Sequence, residues 1–452
     1  MKLFAAHARL PSGWARDVLI EIDAQGRIAS VMRNTPSNGA ERIDGFVVPG
    51  MPNVHSHAFQ RAMAGFTEAR THPVDGFWTW RELMYRFAAR VTPEIVQDIA
   101  AFLYVEMLKA GYTGVAEFHY LHHDSGGAPY GHRAELSDRV IAAAQEAGIA
   151  ITHLPVLYRY GGFGAAPPSE AQARFVNDVD AFVALVHDLQ GRHRSDSGVQ
   201  VGVAFHSLRA VDEASMREAL GALDAWPIHI HVAEQQREVA DCIAWSGMRP
   251  VQWLLHHVPV DERWCLVHAT HLSDAEVREL AATRALAGLC PTTEANLGDG
   301  LFPLPAFLEA GGRLGIGSDS HVSVSVAEEL RTLEYGQRLA SQRRAVFATP
   351  EAASPGERLF ADAALHGAQA LGLTTGRIET GARADLVVLD PDHRAFWNVP
   401  AERILDAWIF AGDNGCVRDV MVGGAWRLRD RRHPREDELA ARFRRAQAAL
   451  LA

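Results

Sequence analysis

The sequence predicts an α/β protein built on a (β/α)8 barrel of the TIM type, with a small β-rich domain assembled from both chain ends. Three observations carry that expectation. Eight short apolar segments recur through the middle of the chain, with helix-like stretches between them. Each is apolar nearly throughout rather than alternating, as parallel strands covered on both faces must be. Polar residues gather at the C-terminal ends of these segments, where such a barrel places its chemistry.

The elements follow in order. From Met1 to about Arg42 the pattern is short and β-like, and VLIEID, the turn AQGR and IASVM read as a hairpin. The barrel strands begin with FVVPGMPNVHSH and continue with YTGVAEFHY (112–120), IAITHLPVLYR (149–159), VQVGVAFHS (199–207), PIHIHVAE (227–234), RWCLVHATH (263–271), LAGLCPTTEAN (286–296) and RLGIGSDSH (313–321). Helices are expected over 93–110, 134–148, 169–190, 212–224, 235–257, 273–283, 303–310 and 324–345. From about Gly376, RIETGARADLVVLD and VRDVMVGGAWRL resume the short-strand, Gly-turn style, and an amphipathic helix from about Pro434 ends the chain. The expected division is residues 1–45 plus 376–452 as the small domain and 46–375 as the barrel, with two independent β modules as the alternative.

Composition narrows the class. With 452 residues, 48% hydrophobic and 22% charged, the chain reads as a globular protein able to bury a large core. No apolar run approaches the ~20 residues of a membrane span. Arg9, Arg16 and Asp17 interrupt any signal-like apolar region, so the expectation is an untargeted cytoplasmic protein. A net charge of -11 argues against a nucleic-acid or anionic-membrane partner. Cys242, Cys265, Cys290 and Cys416 are scattered without CxxC spacing, which favours neither a disulfide framework nor a thiolate metal site.

His55 and His57 stand two apart at the end of the first strand, on one face, where both could offer imidazole nitrogens to one divalent ion. Taken singly, each strand-end histidine reads equally as a hydrogen-bonded loop residue. The repetition is what counts: Glu117, His119 and Tyr120 end strand 2, Tyr158 and Arg159 strand 3, and His206 strand 4. His229, His231 and Glu234 end strand 5, His268 and His271 strand 6, and Asp319 and His321 strand 8. A barrel needs no ring of histidines at one mouth for stability, whereas a metal site needs ligands from separate rigid strands.

The PGMPNVHSHAF turn, HIHVAE, LVHATH and GIGSDSH, in this order, resemble the metal-dependent amidohydrolase superfamily, and the HxxE of HVAE resembles its deaminase branch. The resemblance implies one divalent ion, Zn2+ or alternatively Fe2+, held by His55, His57, His231 and Asp319, with Glu234 as proton shuttle and His268 orienting the nucleophile and substrate. The residue types suit that chemistry: a metal lowers the pKa of water to about 7, and an amidine nitrogen leaves only when protonated. Glu234 also reads as a helix-opening glutamate favoured by the macrodipole, and the two readings are compatible. Many amidohydrolases bridge two metals with a carboxylated lysine, but this chain has only Lys2 and Lys109, neither at a strand end.

The strand 1 loop HAFQRAMAG and FWTWRELMY, with AFHSLRAV and GIGSDSHVSVSVAEELRTLEYGQR, resemble the formimidoylglutamate deiminases. Members of that family convert N-formimidoyl-L-glutamate to N-formyl-L-glutamate and ammonia in histidine degradation. The resemblance implies a pocket of Gln60, Tyr120, His206, Arg209 and Arg81, the last in the long loop after strand 1, for a small dicarboxylate amidine. Two carboxylates suit two guanidiniums through bidentate geometry, although Arg81 and Arg209 read equally as arginines in surface ion pairs. The aromatic residues Phe77, Trp78, Trp80 and Tyr85 read as packing or as a lid. The alternatives are an aminohydrolase of the same branch acting on guanine, adenosine-like or triazine substrates, and a non-catalytic barrel. A homodimer is the superfamily's usual expectation.

Overall fold

The computed structural model describes residues 1–69, 76–350 and 352–452. Its centre is a closed barrel of eight parallel strands: Met51–Ser56, Tyr112–His119, Ala150–Leu157, Val199–Val201 continued by Val203–Ser207, Ile228–Val232, Trp264–His268, Leu286–Leu289 and Arg313–Ile316. We number them 1 to 8. Every residue of strands 1, 2 and 3 is buried, as expected of strands enclosed by helices outside and by one another's side chains within.

Both chain ends build a single seven-stranded sheet, so the alternative of two independent β modules is not what forms. Lys2–Leu10 lies between the antiparallel strand Gly13–Ile22 and the parallel strand Glu41–Pro49, and Leu386–Leu389 joins the far side of the latter, leading to Val417–Val422 and Ala425–Leu428. Leu3, Val18, Ile20, Ile43, Leu386 and Met421 give this sheet its own apolar core. The terminal helix Glu436–Leu451 packs on Pro93–Lys109, where Arg442 pairs with Asp98 at 2.7 Å and Lys109 pairs with Glu436. The other lysine, Lys2, pairs with Glu21 on the small sheet, so neither lysine approaches the barrel mouth.

Most expected helices form, with three differences. The stretch 169–190 is not one helix: a short turn at Glu170–Gln172 precedes Val179–His193, because the Asp178 side chain accepts from the Ala181 N–H and caps a fresh start. The stretch 235–257 divides into Gln236–Ser246 and Pro250–His257, since Gly247 takes a left-handed φ of 75° and Pro250 opens the next helix. The sequence reading leaves 346–375 unassigned, yet Pro355–Leu371 is the helix that packs on strands 8, 1 and 7. Ser354 caps it, and Gly367 lets it approach Pro52 and Val54 closely.

The seam between strands 8 and 1 is the thinnest ladder, with Ile316 opposite Asn53. A buried side chain reinforces it: Asn53 donates from Nδ2 to Ser318 Oγ at 2.7 Å and accepts at Oδ1 from the Ser318 and His55 N–H groups. Replacing Asn53 with Leu keeps the volume but strands buried donors, each costing about 1–3 kcal/mol. Asn53→Leu should therefore lower the thermal midpoint of the purified protein with or without added metal, as followed by circular dichroism.

Candidate active site

At the C-terminal mouth the backbone places the first side chains. The chain beyond strand 8 continues the ladder with strand 1: Asp319 N–H donates to the His55 carbonyl at 3.0 Å, and His57 N–H donates to the Asp319 carbonyl at 3.1 Å. This exchange fixes His55, His57 and Asp319 relative to one another. His268, Asp319 and His321 all adopt left-handed φ values without being glycine, as do Ala233 and Ala269. Such backbone is costly and collects at functional sites.

Three imidazoles converge. His55 Nε2 lies 3.1 Å from His57 Nε2 and 3.0 Å from His231 Nε2. The outer nitrogens decide the tautomers: His57 Nδ1–H donates to the Phe118 carbonyl at 2.9 Å, and His231 Nδ1–H donates to the His206 carbonyl at 3.0 Å. Both therefore turn Nε2 lone pairs inward. A single Nε2 proton on His55 could satisfy one of them, not both. Burial, reinforced by neighbouring histidines, holds His55 and His231 well below the ordinary histidine pKa, so they are neutral. Asp319 Oδ1 stands 3.4 and 3.5 Å from His55 and His57 Nε2. Converging lone pairs beside a carboxylate fit a divalent cation bound at about 2.0–2.2 Å from each donor. The chain carries a histidine-rich metal site.

Above it, His268 Nε2 lies 3.8 Å from both Glu234 Oε1 and Asp319 Oδ2, while His268 Nδ1–H donates to Glu294 at 3.2 Å. Burial raises the Glu234 carboxyl to about 7, against the pull of His268. Burial disfavours charge on His268 as well, but Glu234, Glu294 and Asp319 outweigh it and hold the imidazole near 10. A carboxyl able to take or give a proton near neutrality thus sits against a cationic donor.

A cavity opens over these groups. Of the residues assigned to metal, catalysis or substrate, His55 is fully buried and does not line it, and the rest do: His57, Gln60, Arg81, Tyr120, His206, Arg209, His231, Glu234, His268 and Asp319. Gln60 Nε2 donates to the Tyr120 hydroxyl at 2.9 Å. Burial and Arg209 keep His206 neutral. Arg81 does not lie in a loop. It belongs to a helix, Phe77–Ala88, whose run FWTWRELMYRFA has no breaker and whose first turn is closed by Thr79 bonding Gly76. Phe77, Trp80, Met84 and Tyr85 of this helix also line the cavity.

The sequence reading missed the arrangement at the far end. The Trp78 indole carries three guanidiniums, those of Arg81 at 4.5 Å, Arg237 at 4.7 Å and Arg209 at 5.8 Å. Among the described residues neither Arg81 nor Arg209 has a carboxylate within ion-pair distance, and buried Arg209 Nε has no hydrogen-bond acceptor. Tyr158 also reaches the cavity. Glu294, which orients His268, was hidden inside the strand 7 segment. The one available signal was TTEAN following a strand end, the position equivalent to HVAE.

Other strand-end residues stay outside the cavity. His229 Nε2–H donates to the Ala370 carbonyl, two residues below His231 on the strand. His119 packs between His122 and His153, and Arg159 bonds Ser215. Glu117 accepts from the Ala58 N–H and the Ser56 and Tyr104 hydroxyls, and His321 bonds Ser56 and Ser318, so both brace the HxH turn from behind.

Comparison with known proteins agrees with this geometry. Residues 46–427 match the amidohydrolase family, and residues 2–45 match the N-terminal domain of formimidoylglutamate deiminase HutF. The chain is 54% identical to a Pseudomonas aeruginosa protein named formimidoylglutamate deiminase, over 98% of this chain and 97% of that one. It is 30% identical to the 5-methylthioadenosine/S-adenosylhomocysteine deaminase of Natronomonas pharaonis, over 91% and 86% respectively. The crystal structure of an amidohydrolase from Brucella melitensis superposes with a TM-score of 0.95 at 48% identity over 100% of both chains. An adenosine deaminase from Xanthomonas campestris with bound zinc shares the fold at a TM-score of 0.83 and 23% identity, over 100% of this chain and 98% of that one. The chain belongs to the amidohydrolase family and, within it, to the formimidoylglutamate deiminases.

Proposed function

We propose that the protein hydrolyses N-formimidoyl-L-glutamate to N-formyl-L-glutamate and ammonia, a step of histidine degradation. The observation that carries this reading is the lining of the cavity: Glu234 and His268 stand over the converged imidazoles, and Arg81 and Arg209, neither within ion-pair distance of a carboxylate among the described residues, line the same space. A neutral heterocycle would offer neither guanidinium a hydrogen-bonded carboxylate in a half-enclosed site, whereas a glutamate-derived dianion offers one to each.

In this reading His55, His57, His231 and Asp319 hold one divalent ion, zinc first and ferrous iron second among ions that His3Asp sets accept. When bound, the ion supplies Lewis acidity that lowers the pKa of water from about 16 to about 7. The protein's own groups do the rest. Arg81 and Arg209 fix the substrate's carboxylates, so the formimidoyl carbon rests over the mouth of strands 1, 5 and 8. As water adds to that carbon Glu234 takes one of its protons, Asp319 takes the other as the formyl C=O forms, and both end on the departing nitrogen. Glu234 Oε1, tuned to about 7, returns a proton to the amidine nitrogen, which then leaves as ammonia. Imidazolium His268, oriented by Glu294, offers Nε2–H to the oxygen that gains charge. Neutral His206 and the Gln60–Tyr120 pair complete the substrate's polar contacts. We further propose that residues 1–45 plus 376–452 and residues 46–375 are the two structural units, and that the enzyme acts as a cytoplasmic homodimer.

Ammonia release from N-formimidoyl-L-glutamate by metal-loaded protein, with guanine and adenosine in parallel, tests the assignment. Purified active protein should contain about one ion per chain by metal analysis; chelation should abolish turnover, and zinc or ferrous iron should restore it. Glu234→Gln keeps size and hydrogen bonding but cannot shuttle a proton, so kcat should fall by about 10²–10⁴ with metal content unchanged. Arg209→Met or Arg81→Met removes one partner of a desolvated charge pair, worth about 2–5 kcal/mol, and should lower kcat/KM roughly 30-fold to several thousand-fold. A substrate amidated at the matching carboxylate should lose little more in the mutant. Parent-like turnover by both arginine variants would return the choice to a neutral heterocycle.

A further inference from the structure

A second polar cleft lies where the small sheet meets the opposite end of the barrel. Its barrel wall is formed by Gly148, Ile149, Ser197 and Gly198, which immediately precede strands 3 and 4, so it opens at the N-terminal end of the strands, away from the catalytic mouth. Its other wall comes from the sheet and carries Arg27, Arg383 and Arg427.

The three guanidiniums arrive from three separate segments. Arg27 ends the turn between Gly13–Ile22 and Ile28–Met32 and stands opposite Arg383 in an antiparallel bridge, which puts both side chains on one face. Arg427 lies on Ala425–Leu428 and rests on Gly148, where a Cβ would come within 2.7 Å of its Cδ. Arg383 rests likewise on Gly423, where a Cβ would come within 3.0 Å of its Nη2. Both glycines have left-handed φ values, so side chains are excluded there and the arginines keep their seats.

The charges do not cancel within the cleft. Arg383 pairs with Asp385 at 3.0 Å behind the wall and donates to the Ser197 carbonyl at 2.6 Å. Arg27 donates to the Gly381 carbonyl at 3.0 Å. Asp196, the one carboxylate in the lining, is occupied by Gln145 and the Gly198 N–H. Arg427 has no carboxylate within ion-pair distance among the described residues, and its Nε is buried without an acceptor. Burial and the Arg383 charge both push the Arg427 pKa down, which is the electrostatic cost of holding these cations together. An anion between them removes that cost, and guanidinium forks suit an oxyanion bidentately. Ser197 and Thr374 add hydroxyl donors.

We propose that this cleft is a binding site for a phosphate-type oxyanion, free or carried on a small molecule, held by Arg27, Arg383 and Arg427. The ligand contacts the turn before Ile28–Met32, the strand Ala425–Leu428 and the barrel at once, so its effect is to fasten the small sheet to the barrel. Nothing in catalysis requires it.

The test is thermal unfolding of the metal-loaded full chain with inorganic phosphate, against sodium chloride at equal ionic strength and against glutamate. A ligand that binds only the folded state raises the midpoint saturably, here by about 2 °C at high occupancy. Arg427→Gln and exposed Arg27→Gln should each abolish the phosphate-specific rise while leaving kcat/KM within twofold of the parent. Arg209→Met should retain the rise, which separates this cleft from the catalytic cavity. A phosphate response no larger than chloride's, one preserved in both Arg27→Gln and Arg427→Gln, one lost in Arg209→Met, or a response to glutamate but not phosphate would each overturn the proposal.

Discussion

The site depends on one backbone exchange: the Asp319 N–H on the His55 carbonyl and the His57 N–H on the Asp319 carbonyl. Strands 1 and 8 are the first and last of the barrel, separated by most of the chain, and their ladder is short. Closing the barrel is therefore the same event as assembling three of the groups that converge at its mouth. Asn53 and Ser318 hold this seam one step below, while Glu117, Ser56 and His321 brace it from behind. Each is buried and hydrogen-bonded, as a polar group in a closed interior must be.

Electrostatics then divide the cavity. One end concentrates carboxylates around His268, and burial at that end makes proton exchange near neutrality accessible to Glu234. The other concentrates guanidiniums on one indole. Of these, Arg237 pairs with Asp241, while Arg81 and Arg209 line the cavity without a carboxylate at ion-pair distance among the described residues, which suits them to an anionic ligand. The aromatic face of Trp78 lowers the cost of keeping Arg81, Arg209 and Arg237 close together. The cleft at the barrel's other end follows the same logic on a smaller scale.

Much of the fold was legible because its signals are local. Near-continuous apolar runs mark strands buried on both faces, and caps such as Thr92 and Ser273 mark helix starts. Where the reading failed, a local signal was overlooked or overridden. The breaks at Gly247 and Pro250 were written in the chain, and so was the uninterrupted amphipathic run that makes Phe77–Ala88 a helix.

The sequence by itself determined which residue types stand at strand ends and that His55 and His57 share a face, since strand periodicity is a property of the chain alone. It also ruled out a lysine bridge, because neither Lys2 nor Lys109 ends a strand. Only the tertiary structure decided that His229 and His119 turn away while His231 faces inward, that Glu294 orients His268, and that Trp78 gathers Arg209 and Arg237 beside the Arg81 of its own helix. The physical reason is that tautomer, burial and charge compensation depend on neighbours far away in sequence, and those neighbours are fixed only when the barrel closes.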